Sequence, residues 1–183
     1  AALTVRSATK VRKDIIDACS NLKVIARGGV GMDNIDVEYA ISKGIKVINT
    51  PAASSNSVAE LVFAHLYTAA RFLYDSNRQM PASGAAKFDE LKKKYSKGIE
   101  LTGKTIGIIG FGRIGKEVAR IALGSGMKVL AYDPYNKDSE IIVKIFGTEG
   151  IKVHIHAVEM EELLNKSDFI TLHVPNGQML GEK

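Results

Sequence analysis

The sequence predicts an α/β fold in which parallel strands alternate with helices. Short apolar segments of the kind that form buried strands recur along the chain, and helical patterns separate them. The links between these segments are short, which favours a parallel sheet because each helix then returns the chain to the start of the next strand. With 183 residues, the chain can form one ordinary domain or one and a half.

The first fifty residues contain three predicted strands and two predicted helices. Asp36 is expected to cap the second helix, and Gly44 to end it. The small polar residues 52–56 then predict a hinge. The strands are predicted over Leu3–Val5, Leu22–Ala26 and Lys46–Ile48, and the helices over Val11–Ala18 and Val37–Lys43.

A longer helix is predicted over Ser57–Tyr74, where Ser57 and Glu60 have the spacing of a capping box. This helix is apolar almost all round, so we expect it to be buried on all sides. A partner subunit or a second domain of the same chain could cover it, and the residues leave both alternatives open. Short helices and surface loop are expected from Asp75 to Gly98.

A glycine-rich turn joins a fourth strand, Ile106–Ile109, to a helix over Lys116–Leu123. Its glycines, Gly110, Gly112 and Gly115, have the G-x-G-x-x-G spacing of dinucleotide-binding proteins. The first glycine permits a sharp turn, the second lets a pyrophosphate approach the backbone, and the third lets the helix pack close to the sheet. The free N–H groups at the start of the helix would then face the phosphates.

An acidic residue follows the next predicted strand, Lys128–Tyr132, at the position expected for a ribose ligand. Asp133 lies 133 − 110 = 23 residues after the first glycine, against about 20 in the fingerprint. A carboxylate there accepts hydrogen bonds from the ribose and repels a 2′-phosphate, which favours NAD over NADP. The alternative is that Asp133 only starts a turn with Pro134.

The bulk composition excludes several other classes of protein. The net charge is +5, but the cations are interspersed with carboxylates, so we expect no nucleic-acid partner. No apolar run is long enough to span a membrane, so we expect no membrane partner. The single cysteine, Cys19, suits a reducing compartment and is expected to be buried on a helix.

The last third of the chain predicts further elements but no metal site. A helix is expected over Ser139–Phe146 and an edge strand over Val153–Ala157. The strand exposes His154 and His156, which lack a third ligand or acidic partner at useful sequence spacing. A short helix, Met160–Asn165, and a strand, Phe169–His173, complete the pattern.

Taken together, these segments resemble the D-isomer-specific 2-hydroxyacid dehydrogenases. Five matches to this family occur in the order the family has them, and they cover nearly the whole chain. They are Val5–Val11, Arg27–Asn34, Asn49–Pro51, the NAD site formed by Gly110–Gly115 with Asp133–Pro134, and Leu172–Pro175.

The resemblance implies a partial flavodoxin-like outer domain over residues 1–51. It also implies a Rossmann-type NAD-binding domain over residues 52–183, incomplete at its C-terminal end, so both parallel-sheet domains are truncated. By position, Arg6 and Ser7 would face the anionic end of the substrate. The other substrate positions implied are Arg27, Gly28 and Gly29.

The family match also extends the cofactor site beyond the glycines and Asp133. The implied additional positions are Val30, Arg113, Ile114, His173, Val174 and Pro175. The family's catalytic arginine, glutamate and histidine lie beyond its Leu-His-x-Pro element. We therefore expect no catalytic residue in this chain, and His173 is not the catalytic histidine.

The function implied is NAD-dependent oxidation of a small anionic 2-hydroxy acid, with 3-phosphoglycerate as the first expectation. A relative that reduces glyoxylate or hydroxypyruvate is one alternative. A non-enzymatic, NAD-sensing module like the family's corepressor relatives is an alternative from another class. The resemblance further implies a homodimer formed through the helix Ser57–Tyr74, and we expect the 183 residues to be inactive alone. The single cysteine favours a cytoplasmic location.

Overall fold

The computed structural model describes residues 1–174 and divides the chain into two compact units, one over Ala1–Ser55 and the other from Asn56 onward. Each unit has its own parallel three-stranded sheet, which confirms the predicted α/β class. None of the helices among the described residues has the length and apolar character that crossing a membrane requires.

The first unit is a parallel sheet with two short helices, and every element predicted for it is present. The middle strand carries Ile25, which is fully buried in the core of this unit. The sheet order is β1-β2-β3. The elements are β1 (Ala2–Val5), α1 (Lys13–Ala18), β2 (Val24–Arg27), α2 (Val37–Ser42) and β3 (Lys46–Asn49).

One predicted cap is wrong in this unit. The Asp36 side chain does not cap α2, the helix that follows it. Its carboxylate instead accepts the backbone N–H of Lys13 at 3.2 Å, at the start of α1, and pairs with Arg12 at 2.9 Å. The predicted end of α2 is confirmed, since Gly44 has a left-handed φ of 75°.

The second unit combines a helical region with a second sheet, ordered β5-β4-β8. The apolar core packs around β4, whose residues Ile106 and Ile108 are buried. The elements from the boundary onward are α3 (Ser55–Ala70), α4 (Leu73–Tyr95), β4 (Thr105–Ile109), α5 (Arg113–Gly124), β5 (Lys128–Tyr132), β6 (Asp138–Val143), β7 (Ile151–His156), α6 (Met160–Lys166) and β8 (Phe169–Leu172).

The bounds and the capping box predicted for the helix Ser57–Tyr74 are wrong. The helix begins at Ser55, and Glu60 accepts a hydrogen bond from the Asn56 side chain at 2.7 Å instead of completing a capping box with Ser57. It ends at Ala70, because Phe72 adopts a left-handed φ of 56°. Its apolar surface is only partly covered within the described chain, since Leu61 is 57% exposed.

The region after this helix, expected to hold short helices and surface loop, forms α4, a helix interrupted at Lys87 by a φ of −129°. The Lys94 ammonium lies 2.5 Å from the Asp75 carboxylate, and the Tyr95 hydroxyl lies 2.9 Å from it. In a straight helix, residues 19 apart would be separated by about 28 Å. The chain therefore folds back on itself at Lys87, and Pro81 is accommodated in the first arm.

The helix predicted over Ser139–Phe146 is also wrong. Residues from Asp138 form β6, which pairs antiparallel with β7 as a two-stranded ribbon. Ser139 and Ile141 are buried while their neighbours in β6 point outward, which is the two-residue period of a strand. Cys19 differs from expectation too, because its side chain is exposed.

Candidate functional site

The glycine turn of the second unit lies where the carboxyl ends of three parallel strands meet. The backbone N–H of Gly110 donates to Tyr132 at the end of β5, at 2.9 Å. On the other side, the N–H of His173 donates to Ile109 at the end of β4, at 2.8 Å. The strand order β5-β4-β8 therefore brings the turn, the end of β5 and the Leu172–His173 segment to one edge of the sheet.

Two of the three glycines are required by close packing. Gly110 has a φ of 93°, and a Cβ there would lie 2.6 Å from the carbonyl oxygen of His173. A Cβ on Gly115 would collide with the carbonyl oxygen of Gly110 and lie 3.2 Å from Ile108. These contacts agree with the roles predicted for a sharp turn and for close packing of α5 on the sheet.

Gly112, by contrast, faces open space. A Cβ at this position would meet no atom within 4 Å. Gly112 is also the N-cap residue of α5, and it supplies no side-chain hydrogen bond to the first N–H groups of the helix. Open space at Gly112, at the N-terminus of a helix whose first N–H groups belong to Arg113 and Ile114, fits an anionic group such as a pyrophosphate.

Asp133 is buried and holds the turn in place. One carboxylate oxygen accepts the N–H of Phe111 at 2.8 Å, and the other accepts those of Tyr135 at 2.8 Å and Asn136 at 2.9 Å. Burial acts to raise the pKa of Asp133, but the three backbone N–H groups outweigh it and lower the pKa. The Asp133 carboxylate therefore starts a turn, which is the alternative role that the sequence left open for this residue. A contact between Asp133 and a ribose stays a prediction.

His173 lies beside the glycine turn and is half-buried. Its Nε2 lies 3.0 Å from the hydroxyl oxygen of Thr171, and burial lowers its pKa. Burial thus favours the neutral imidazole, and a contact of His173 with the cofactor stays a prediction. Val174 ends the described segment, and Pro175 lies outside the described residues.

In the first unit, the predicted substrate residues lie on loops at the carboxyl ends of β1 and β2. Arg6 is exposed, so its guanidinium can reach an anion in solution. Ser7 is exposed as well, although its hydroxyl accepts a hydrogen bond from Arg27 at 3.3 Å. Gly28 closes the pairing of these two strands, since its N–H donates to Val5 at 3.0 Å.

Arg27 is placed differently from a residue that simply borders a substrate. Its side chain is only 8% exposed, and its guanidinium donates to the carbonyl oxygen of Gly31 as well as to Ser7. An arginine held in this way organises the glycine-rich loop from within. Any contact of Arg27 with a substrate stays a prediction.

Two polar residues at the end of β3 fix the backbone of the same loop. The N–H of Gly29 donates to the Thr50 hydroxyl at 2.9 Å, and Asn49 donates to the carbonyl oxygen of Val30 at 2.7 Å. Val30 itself is 40% exposed and has no polar side-chain atom. Any hydrogen bond from Val30 to a cofactor would therefore come from its backbone.

Sequence reasoning missed Asn34, which is 5% exposed and connects two of the loops. Its amide nitrogen donates to the carbonyl oxygens of Arg6 at 3.1 Å and Thr9 at 2.7 Å. The signal was present, because a polar residue stands between the glycine loop and the apolar Ile35, where the chain turns inward. An isolated asparagine is common in turns, however, so the sequence alone did not distinguish it.

The histidines of the β6–β7 ribbon each lie opposite an acidic residue of the neighbouring strand. Acidic partners do exist across the ribbon, contrary to the sequence expectation. Glu140 lies 3.6 Å from His154, and Asp138 lies 3.4 Å from His156. These contacts are separate exposed pairs, and no group of three or more potential ligands that could hold a metal occurs within residues 1–174.

The parallel sheets and the glycine turn have the features of nucleotide-binding α/β proteins. The family model for D-isomer specific 2-hydroxyacid dehydrogenases, catalytic domain, matches residues 1–172. The chain belongs to the D-isomer-specific 2-hydroxyacid dehydrogenase family, which confirms the resemblance seen in the sequence.

Two curated relatives show how the chain compares with whole proteins. It is 49% identical to the hydroxypyruvate reductase of Thermotoga maritima over 173 residues, which are 94% of this chain and 51% of that protein. It is 46% identical to the D-3-phosphoglycerate dehydrogenase of Methanocaldococcus jannaschii over 173 residues, 94% of this chain and 30% of that protein. The chain thus spans about half the length of the hydroxypyruvate reductase and about a third of the length of the phosphoglycerate dehydrogenase.

Solved structures show the same fold. The NAD⁺-bound 3-phosphoglycerate dehydrogenase of Entamoeba histolytica matches with a TM-score of 0.66 and 33% identity. The match covers 97% of this chain and 47% of that one. That relative was solved with NAD⁺ bound, which is the cofactor that the sequence predicts for this chain.

Proposed function

We propose that the protein carrying this chain is an NAD-dependent dehydrogenase of D-2-hydroxy acids. The observation that carries the proposal is the glycine turn, where Gly112 has open space around it at the N-terminus of α5 and the buried carboxylate of Asp133 bonds to the same turn. A bound nicotinamide would accept hydride from C2 of the substrate. The residues of this chain would hold the pyrophosphate, the ribose and the acid.

We propose 3-phosphoglycerate, oxidised to 3-phosphohydroxypyruvate, as the leading substrate. Arg6 supports this choice because its exposed guanidinium can bind a phosphate through two donors. Hydroxypyruvate or glyoxylate is the second candidate. The similarity to a hydroxypyruvate reductase, which is at least as high as that to a phosphoglycerate dehydrogenase, specifically favours it.

The test uses the whole protein, including the sequence downstream of Lys183 in which we expect the catalytic arginine, glutamate and histidine. NADH formation is measured with 3-phosphoglycerate, glycerate and lactate, and NADH consumption with hydroxypyruvate and glyoxylate. A preference for the phosphorylated acid supports the leading substrate, and a preference for hydroxypyruvate selects the second candidate. NAD binding without turnover of any acid would support the NAD-sensing module instead.

Arg6→Ala separates the two substrates further. We expect it to weaken use of the phosphorylated acid, raising its KM on the order of a hundredfold, because a charge-assisted bidentate contact is lost. The dissociation constant of NADH should not change. Lys10→Ala, which removes an exposed cation from the same loop, is the matched control. An unchanged KM in Arg6→Ala would contradict the phosphate assignment.

We also propose that the protein is a homodimer formed through α3, the helix that replaces the predicted Ser57–Tyr74. Leu61 is 57% exposed and Tyr67 41% exposed on this helix, leaving apolar surface for a second copy to cover. Leu61→Arg should shift the mass measured by light scattering from dimer to monomer. Leu164→Arg, at an exposed leucine of α6, is the control and should leave the mass unchanged.

For the whole protein we also propose a cytoplasmic location and a role in serine biosynthesis, which would follow from 3-phosphoglycerate as its substrate.

A further inference from the structure

We infer that Asn34 is a positioning residue that aims Arg6 at the anionic group of the substrate. The inference rests on the proposed function, since it concerns the same substrate loop. Residues 6–10 follow β1 and carry two exposed side chains, Arg6 and Ser7, that are expected to meet the substrate. Exposed side chains bind tightly only when the backbone beneath them is already fixed, because ordering it on binding costs free energy.

Asn34 fixes that backbone at both ends of one turn. Thr9 donates its N–H to Arg6 at 3.2 Å, which closes the turn, and the carbonyl oxygens of the same two residues accept the two hydrogens of the Asn34 amide. Because both acceptors are carbonyl oxygens, only the nitrogen of the amide can face them. The backbone oxygen of Asn34 also accepts the N–H of Val11 at 2.8 Å, just after the loop.

The position of Asn34 is in turn set by the core of the first unit. Its neighbour Ile35 is 4% exposed and forms a parallel bridge with Val11, which is fully buried. Asn34 is therefore held on one side by packed apolar residues and contacts the loop on the other. A shift of the Asn34 amide would move the carbonyl of Arg6, and with it the start of the arginine side chain.

Arg27 supports the same loop through a different residue, because it donates to the Ser7 hydroxyl. Asn34 is the better test, since no predicted substrate contact is assigned to it. Asn34→Ala removes both donors and leaves a small side chain. Asn34→Asp is more severe, because it turns a carboxylate toward two carbonyl oxygens.

The experiment is a double-mutant cycle in the whole protein with Asn34→Ala, Arg6→Ala and the double variant, assayed with 3-phosphoglycerate. If Asn34 acts through Arg6, Asn34→Ala should raise KM about tenfold, the effect of about 1.4 kcal/mol of lost hydrogen bonding. In the Arg6→Ala background the same change should have an effect below about twofold. The dissociation constant of NADH should not change in either background.

A merely structural role would give a different pattern. It would lower Tm and raise KM by the same factor with or without Arg6, and that result would overturn the inference. An unchanged KM in Asn34→Ala would overturn it as well. Asn21→Ala, at an exposed asparagine of the same unit, is the matched control. If Asn34→Asp fails to fold, the alanine variant carries the test alone.

The cycle also distinguishes failure of this inference from failure of the proposed function. If Arg6→Ala itself leaves KM unchanged, the phosphate assignment fails first. If Arg6→Ala raises KM but the effect of Asn34→Ala is absent or additive, only the positioning role of Asn34 is wrong.

Discussion

Two loops of this protein follow parallel strands, one in each unit, and they are shaped by opposite means. The turn Gly110–Gly115 is shaped by missing side chains, since two of its glycines lie where a Cβ would strike a backbone oxygen. The loop of residues 6–10 is shaped by side chains that are present, because buried Asn34 and Arg27 bond to it. The first device permits a sharp turn and close packing of α5 on the sheet, and it leaves Gly112 open where the cofactor is predicted to approach. The second fixes the backbone beneath Arg6, the exposed side chain that is predicted to meet the substrate.

The difference predicts how each loop responds to substitution. Adding atoms should break the glycine turn, while removing polar atoms should loosen the loop of the first unit. Asp133 lies between these cases, because it is a buried side chain that bonds to the glycine turn.

The largest effect is expected for Gly115→Ala. The new methyl group would strike the carbonyl oxygen of Gly110 and crowd the Ile108 side chain, and a backbone oxygen cannot move aside as the end of a flexible side chain can. We expect a loss of about 3 kcal/mol or more in the free energy of unfolding, measured with urea. Gly124→Ala, where a Cβ meets nothing within 4 Å, is the control and should gain about 0.5–1 kcal/mol. Equal stability of the two variants would contradict the packing role.

Asp133→Ala should have the next largest effect on stability. Three backbone N–H groups lose their shared acceptor, and we expect a loss of about 2 kcal/mol in the free energy of unfolding. Calorimetry should also show that NAD uptake is lost. The control is Asp89→Ala, at an exposed aspartate of α4, which should change neither quantity. Wild-type uptake by Asp133→Ala would contradict the predicted cofactor site.

The pH dependence sharpens the same comparison. Because folding lowers the pKa of Asp133, its carboxylate contributes fully to the free energy of unfolding when the pH is above the pKa of the unfolded state, about 3.9. This contribution is then lost as the pH falls through the lower pKa of the folded protein. The difference in unfolding free energy between the wild type and Asp133→Asn should therefore be constant from about pH 5 to 7 and shrink below about pH 4. A difference that grows on acidification would contradict the assignment.

The sequence predicted the glycine turn far better than the loop of the first unit, and the reason is physical. Glycine spacing reports a local backbone shape, and Asp133 lies at a fixed distance along the chain, so both are visible in one dimension. The contact of Asn34 with Arg6 joins residues 28 apart and depends on how β1 and β2 pair. The sequence shows that residue 34 is polar, but it does not show that this residue contacts Arg6.

The errors elsewhere in the chain have the same origin. Residues 139–146 have apolar positions compatible with a helix, but pairing with β7 selects a strand. The fold-back of α4 at Lys87 depends on contacts between Asp75 and Lys94, which local propensity does not contain. A cap is expected from Asp36 for the helix next to it because caps are usually local, whereas its carboxylate reaches the start of α1.

A smaller effect is expected for Arg27→Lys in the first unit. Lysine keeps the charge but not the forked donors, so the bonds to Ser7 and Gly31 cannot both be retained. We expect a loss of about 1 kcal/mol in the free energy of unfolding, measured by thermal denaturation. Lys23→Arg, at an exposed position of the same unit, is the control for the reverse exchange and should be neutral. If Arg27→Lys left the free energy of unfolding unchanged, the loop would not depend on the two donor groups of the guanidinium.

The smallest effect on stability is expected for Gly112→Ala, in the same turn as Gly115. Its φ of −77° suits alanine and a Cβ would meet no atom within 4 Å, so stability should change by no more than about 0.5 kcal/mol. NAD affinity should nevertheless fall at least about tenfold in calorimetry, because the methyl group would occupy the open space at the start of α5 where the pyrophosphate is predicted to approach the backbone. Unchanged affinity would place the pyrophosphate elsewhere, whereas a large loss of stability would mean that this glycine, like Gly115, serves packing.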